Sequence, residues 1–180
     1  IAGHETTSGL LSFVMYFLCK NPQVLNKARA LVDEVLGDEL PRVEDLGRLR
    51  YIEQILMESL RIWPTAPAFA LKPLQDTVLG GKYAITKRDT LMVITPMLHR
   101  DTSVWGDDVE EFRPERFDPG LMEKLPPNAW KPFGNGQRAC IGRPFAMQEA
   151  MLLVAILAVR GEREGGFLKH AKKRIHVEVE

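Results

Sequence analysis

Apolar positions recur at helical spacing in four stretches of this chain and alternate over short runs in a fifth region. Leu10 to Lys20 is apolar nearly all round, the pattern of a helix buried in a larger protein. Ahead of it, Gly3, His4, Glu5, Thr6, Thr7, Ser8 and Gly9 are poor helix-interior residues. Composition favours a helix start there, capped by Thr or Ser. The competing reading is a continuous helix whose hydroxyls take backbone carbonyls and open a groove. Asn21-Pro22 predicts the next start, with Asn as cap and Pro in the first helical position. Val24, Leu25, Ala28, Leu31, Val32, Val35 and Leu36 then recur on one face, and Gly37 ends the run. Asp38 to Asp45 reads as a polar connector.

Leu49 to Trp63 predicts a third helix, with Tyr51, Ile52, Ile55, Leu56, Leu60 and Ile62 on one arc. Glu58 and Arg61, three residues apart, lie beside its polar side and can pair across a turn; spacing alone reads as a solvated surface pair. Pro64 and Pro67 force the chain out of helix. Ala68 to Leu74, Thr77 to Leu79, Lys82 to Ile85 and Leu91 to Thr95 read as short strands, with Gly80-Gly81 as a primed hairpin turn. His99 reads as a hydrogen-bonded structural residue with no chemistry assigned. Asp118 to Trp130 reads as an irregular loop, and Phe145 to Val159 as a strongly apolar helix. The fold class is mainly α with small β-sheets, an α+β arrangement.

Composition narrows the function classes. The 180 residues suffice for one domain with a real core. Lys+Arg and Asp+Glu are both 24, which gives no electrostatic case for nucleic acid or an anionic membrane. The two cysteines, Cys19 and Cys140, make no disulfide framework, and a reducing, cytoplasmic setting fits best. No apolar run reaches the roughly 18 residues of a membrane span. The chain starts at Ile1, without Met and in mid-helix, and is expected to be a fragment; an upstream anchor would lie outside it.

Candidate chemistry concentrates in Lys131 to Glu149. Cys140 sits in a loop with Gly134, Gly136 and Gly142, ahead of a run that can turn helical from Ile141, with Pro144 tolerated in its first turn. A cysteine at a helix N-terminus is favoured as thiolate, and Arg138 adds a cation suited to a carboxylate or phosphate. Such a thiolate can be a metal ligand, a nucleophile or a redox thiol. The plain alternative is a buried structural cysteine.

The string Phe-Gly-x-Gly-x-Arg-x-Cys-x-Gly over Phe133 to Gly142 resembles the haem-binding loop of the cytochrome P450 family. Ala-Gly-His-Glu-Thr-Thr at the start, Glu-x-x-Arg at Glu58 and Arg61, and Pro-Glu-Arg-Phe ending at Phe117 resemble the family's other motifs, in the same order. The resemblance covers about residues 1–159; 160–180 is a divergent tail, charged and Gly-rich, with a possible strand from Arg174 to Glu180. It implies the C-terminal part of that fold, haem b as cofactor and Cys140 as iron ligand. Cofactor contacts would come from Ala2, Gly3, Phe133, Gly134, Arg138 and Gly142, with Arg138 pairing a haem propionate. Glu5 and Thr6 would relay protons to dioxygen. Glu58, Arg61 and Arg116 would form a buried structural network. Ala66, Pro67, Ala68 and Met92 would border the substrate.

Several stretches, among them W-P-T-A-P-A-F and W-G-D-D-V-E-E-F-R-P-E-R-F, are similar to the self-sufficient fatty-acid hydroxylases. That similarity implies a monooxygenase acting on a lipophilic substrate, a fatty acid, with NADPH electrons arriving through an FAD/FMN reductase fused in the full-length chain. Two alternatives stay open: a P450-like isomerase or peroxygenase, which needs no proton relay, and a truncated remnant that cannot hold haem.

Overall fold

The computed structural model describes residues 2–160. The divergent tail and the strand expected at Arg174–Glu180 lie outside the described residues. Four long helices form the frame: α1 (Ala2–Lys20), α2 (Pro22–Leu36), α3 (Arg50–Ile62) and α7 (Arg143–Arg160). Four strands lie between α3 and the later helices: β1 (Ala68–Leu71), β2 (Thr77–Leu79), β3 (Tyr83–Ile85) and β4 (Leu91–Ile94). They make two separate antiparallel ribbons, β1 with β4 and β2 with β3. Three one-turn helices follow: α4 (Thr95–Leu98), α5 (Thr102–Trp105) and α6 (Pro119–Met122). This is the α+β architecture expected.

The frame is built around α1, α3 and α7, which pack pairwise, with α2 against all three. Leu10, Val14 and Leu18 of α1 meet Ile52, Ile55 and Leu56 of α3 and Ala150 and Val154 of α7 in one core. Each buried Leu, Ile or Val contributes roughly 1.5–3 kcal/mol of hydrophobic stabilisation. Met57, Trp105, Val109, Phe117 and Ala129 form a second, smaller cluster. It sits under the segment that leads to Cys140.

Two expectations at helix starts are corrected. The polar stretch Gly3 to Gly9 is not a capped start, because α1 runs through it without a break. Two serine hydroxyls take carbonyls along this part of the helix: Ser8 donates to Glu5 O (3.1 Å) and Ser12 to Ser8 O (2.8 Å). Asn21 does not cap α2 with its side chain. Its Nδ2 instead donates at 2.8 Å to Phe17 O, a carbonyl at the end of α1 that the Asn21 amide also reaches at 2.9 Å.

The glycine signals act as read. Gly37 ends α2 with φ +54°, where a side chain would be strained, and its amide donates to Asp33 O. Gly80 and Gly81 both have positive φ, and Lys82 N closes the turn on Leu79 O. The supposed connector after Gly37 partly winds into a 3-10 turn, Val43–Arg48, whose Arg42 amide is held by Asp45. Asp101 caps α5, accepting from the Ser103 amide at 3.0 Å.

Candidate functional site

The ion-pair network is the best-defined part of the site. Glu58 and Arg61 are 0% exposed, so the reading of a solvated pair is wrong. The second apolar cluster and the Pro114–Phe117 turn cover the face that periodicity left as polar. The pair is bidentate: Arg61 Nε to Glu58 Oε2 is 2.7 Å and Nη2 to Oε1 is 2.8 Å. Arg61 Nη1 also donates to His99 O at 3.0 Å. Glu58 Oε1 further accepts the Arg113 amide at 3.0 Å.

Arg116 completes the triad. Its Nε lies 3.4 Å from Glu58 Oε1, an ion pair without hydrogen-bond alignment. Its fork is spent elsewhere, on Trp105 O (2.7 Å) and on the backbone and carboxylate of Asp108. Burial pushes the Asp108 carboxyl up, but the Arg116 hydrogen bond and charge, with the Arg113 charge, hold it below its ordinary value. Sequence reading missed Asp108 and the Arg113 amide. The dense charges of Asp107 to Arg116 were the available signal.

Cys140 is exposed, which removes the reading of a buried structural thiol; the other cysteine, Cys19, is the buried one. The loop around Cys140 is closed by its own backbone. The Cys140 amide donates to Phe133 O at 2.9 Å, and the Gly134 amide to Lys131 O at 3.2 Å. Gly134 and Gly136 take φ +71° and +62°, values that favour glycine. A Cβ on Gly142 would lie 3.8 Å from the Cys140 sulfur, an ordinary contact, so the strain-prone positions are the first two glycines. The chain turns into α7 at Arg143, three residues on, with Pro144 in its first turn. Arg143 stacks its guanidinium over Trp130 (5.5 Å) and Phe133 (5.6 Å). Arg138 is exposed.

Among the described residues no group of three or more His, Cys, Asp or Glu could hold a metal ion. The residues that follow Cys140 fit a flat apolar group: Ile141 is 99% and Phe145 71% exposed.

The remaining expected site residues lie on open surfaces. Glu5 and Thr6 are exposed on the first turns of α1, whereas Thr7 is buried; Gly3 is exposed as well, and Ala2 opens the helix. A Cβ on Gly9 would come within 3.2 Å of Thr65, so α1 runs close beside the segment that precedes β1. Ala66 and Pro67 are exposed there. Ala68 pairs with Ile94 and Ala70 with Met92, which puts all four on one face of the β1–β4 ribbon. That face is apolar and exposed. The structure thus joins Glu58, Arg61 and Arg116 directly and puts Ala68 and Met92 on a shared face.

An α-rich frame with a buried Glu–Arg–Arg lock beneath a lone exposed cysteine at a helix start defines a narrow class of proteins. The family profile described as Cytochrome P450 matches residues 1–158, and the chain belongs to that family. It is 58% identical over 158 residues to a bifunctional cytochrome P450/NADPH–P450 reductase of Bacillus cereus. It is 57% identical over 157 residues both to a Bacillus subtilis protein of the same description and to a self-sufficient cytochrome P450 monooxygenase of Aspergillus terreus. Each match covers 87% of this chain and 15% of the relative, so the chain spans about a seventh of the length of these proteins.

Proposed function

We propose that this chain is part of a haem-thiolate monooxygenase that inserts one oxygen atom of dioxygen into a C–H bond of a fatty acid. The observation that carries the reading is Cys140: an exposed thiol in a self-closed loop at the start of α7, with apolar Ile141 and Phe145 bare on the side toward α7. Bound there, a haem b supplies the redox chemistry, and thiolate ligation favours O–O cleavage.

The chain's own residues divide the remaining work. Cys140, just ahead of α7, would supply the thiolate ligand. Arg138 would pair with a propionate, Phe133 would lie near the sulfur, and Gly134 and Gly142 would keep side chains out of the loop's approach to the ring. Glu5 and Thr6 hold and pass protons at the carboxylate and the hydroxyl. Ala2 and Gly3 leave room for dioxygen. Ala66, Pro67, Ala68 and Met92 present a dry apolar wall to the substrate, in keeping with the exposed ribbon face. Glu58, Arg61 and Arg116 hold the frame beneath the loop.

Electrons come from NADPH through an FAD- and FMN-bearing reductase, the partner suggested by relatives that carry one in the same chain. Among the described residues no helix is long and apolar enough to cross a membrane, and a cytoplasmic enzyme is the proposed setting. The test is turnover by the protein with its flanking sequence, given NADPH and a saturated fatty acid. Hydroxylated acid is expected. Thr6→Val should keep consuming NADPH while product per NADPH falls several-fold; unchanged coupling would remove Thr6 from the relay.

A further inference from the structure

His99 is fully buried, and both of its ring nitrogens are engaged by backbone groups. The Lys131 amide reaches Nε2 at 2.8 Å, and Nδ1 lies 3.1 Å from Arg61 O. An amide can only donate and a carbonyl can only accept, so the ring is neutral, with its proton on Nδ1. Arg61 O is one of the carbonyls left without a helical partner at the end of α3. The ring therefore spans from the last turn of α3 to the first residue of the cysteine loop.

The path continues on both sides. Arg61, whose carbonyl holds the ring, also carries the guanidinium that grips Glu58 and donates to His99 O. Lys131, whose amide holds the ring, accepts Gly134 N, and two residues on Phe133 accepts the Cys140 amide. One turn back on α3, Met57 O accepts Trp130 Nε1 at 3.2 Å. The loop's entry is thus fastened to α3 at two points one helical turn apart. Only the His99 point connects directly to the ion-pair lock.

We infer that His99 is a positioning residue for the Cys140 loop: its neutral ring bridges the Glu58–Arg61 lock to the Lys131 amide and sets where the cysteine is presented. This rests on the haem-thiolate reading for its consequence, but not for its geometry. Burial, with the nearby Arg61 and Arg100 charges, disfavours the protonated ring that would break the Nε2 contact.

The test uses the haem-loaded protein with its flanking sequence, as wild type, His99→Leu and His99→Gln. Leu removes both contacts. The Gln carboxamide offers an acceptor and a donor spaced much like the two ring nitrogens. In the reduced carbon-monoxide complex of His99→Leu, the ratio of thiolate-ligated to thiol-ligated form should fall about tenfold, the effect of one lost buried hydrogen bond. Exchange of the Lys131 amide should accelerate by about tenfold or more relative to α3 core amides. His99→Gln should restore both. Wild-type ratio and exchange in His99→Leu would overturn the inference, as would a Gln variant that behaves like Leu. If His99→Leu does not accumulate, the Gln comparison decides. If wild type itself lacks the thiolate form, the haem-thiolate reading fails, and exchange at Lys131 and Cys140 decides the positioning role alone.

Discussion

At the scale of single residues, buried charge dominates. Glu58 accepts three hydrogen bonds with no exposure, so removing it leaves the buried Arg61 guanidinium without its carboxylate, while Arg116 keeps Asp108. Glu58→Ala should cost roughly 3–5 kcal/mol in chemical denaturation. Arg61→Lys should not rescue the pair, because an ammonium cannot make the parallel contacts of the fork. His99 supplies a pH dependence whose sign follows from its environment. Burial first, then the Arg61 and Arg100 charges, push it down to about 4 from its ordinary 6.5. Above pH 6.5 the ring is neutral in folded and unfolded chains alike, and stability is full. Between pH 6.5 and about 4 only the unfolded chain takes the proton, so stability falls by ~3 kcal/mol over that window. His99→Gln should flatten that part of a stability-versus-pH curve; an unchanged slope would show that another group causes it.

At the scale of elements, boundaries were legible where backbone chemistry is local. Pro22 and Gly37 bracket α2, and the paired glycines turn β2 into β3, because proline and positive-φ glycine act through their own dihedrals. Asn21 misled because one polar side chain can serve the helix behind it as well as the one ahead. The two roles separate by mutation. Asn21→Asp should be tolerated if the side chain caps α2. Since it donates to Phe17 O, Asp should be as harmful as Ala, about 1 kcal/mol in either case. Equal stability of Asp and wild type in thermal melts would contradict this. The unbroken α1 was illegible for a different reason. Its weak residues are carried by packing of Leu10, Val14 and Leu18 farther along, which propensity does not see.

At the scale of the whole molecule, the lock and the loop were visible in sequence only as motifs. Spacing alone called Glu58–Arg61 a surface pair, because the elements that bury it come 38 or more residues later, as His99, Arg113 and Arg116 show. The Cys140 loop could be recognised from its glycines, but not its attachment, since His99 and Lys131 lie 32 residues apart. The apolar face shared by Ala68, Ala70, Met92 and Ile94 needed the strand register before it could be seen. The His99 ring ties the lock to the entry of the loop. Cys140, Ile141, Phe145 and the ribbon face stay exposed. The central claim is that Cys140 is the ligand of a haem iron. Its most direct test is the reduced carbon-monoxide difference spectrum of the protein with its flanking sequence, beside Cys140→Ala and Cys19→Ala. A strongly red-shifted Soret band in wild type and Cys19→Ala, absent in Cys140→Ala, is the predicted result. A band that survives Cys140→Ala, or no such band in haem-loaded wild type, would contradict the account.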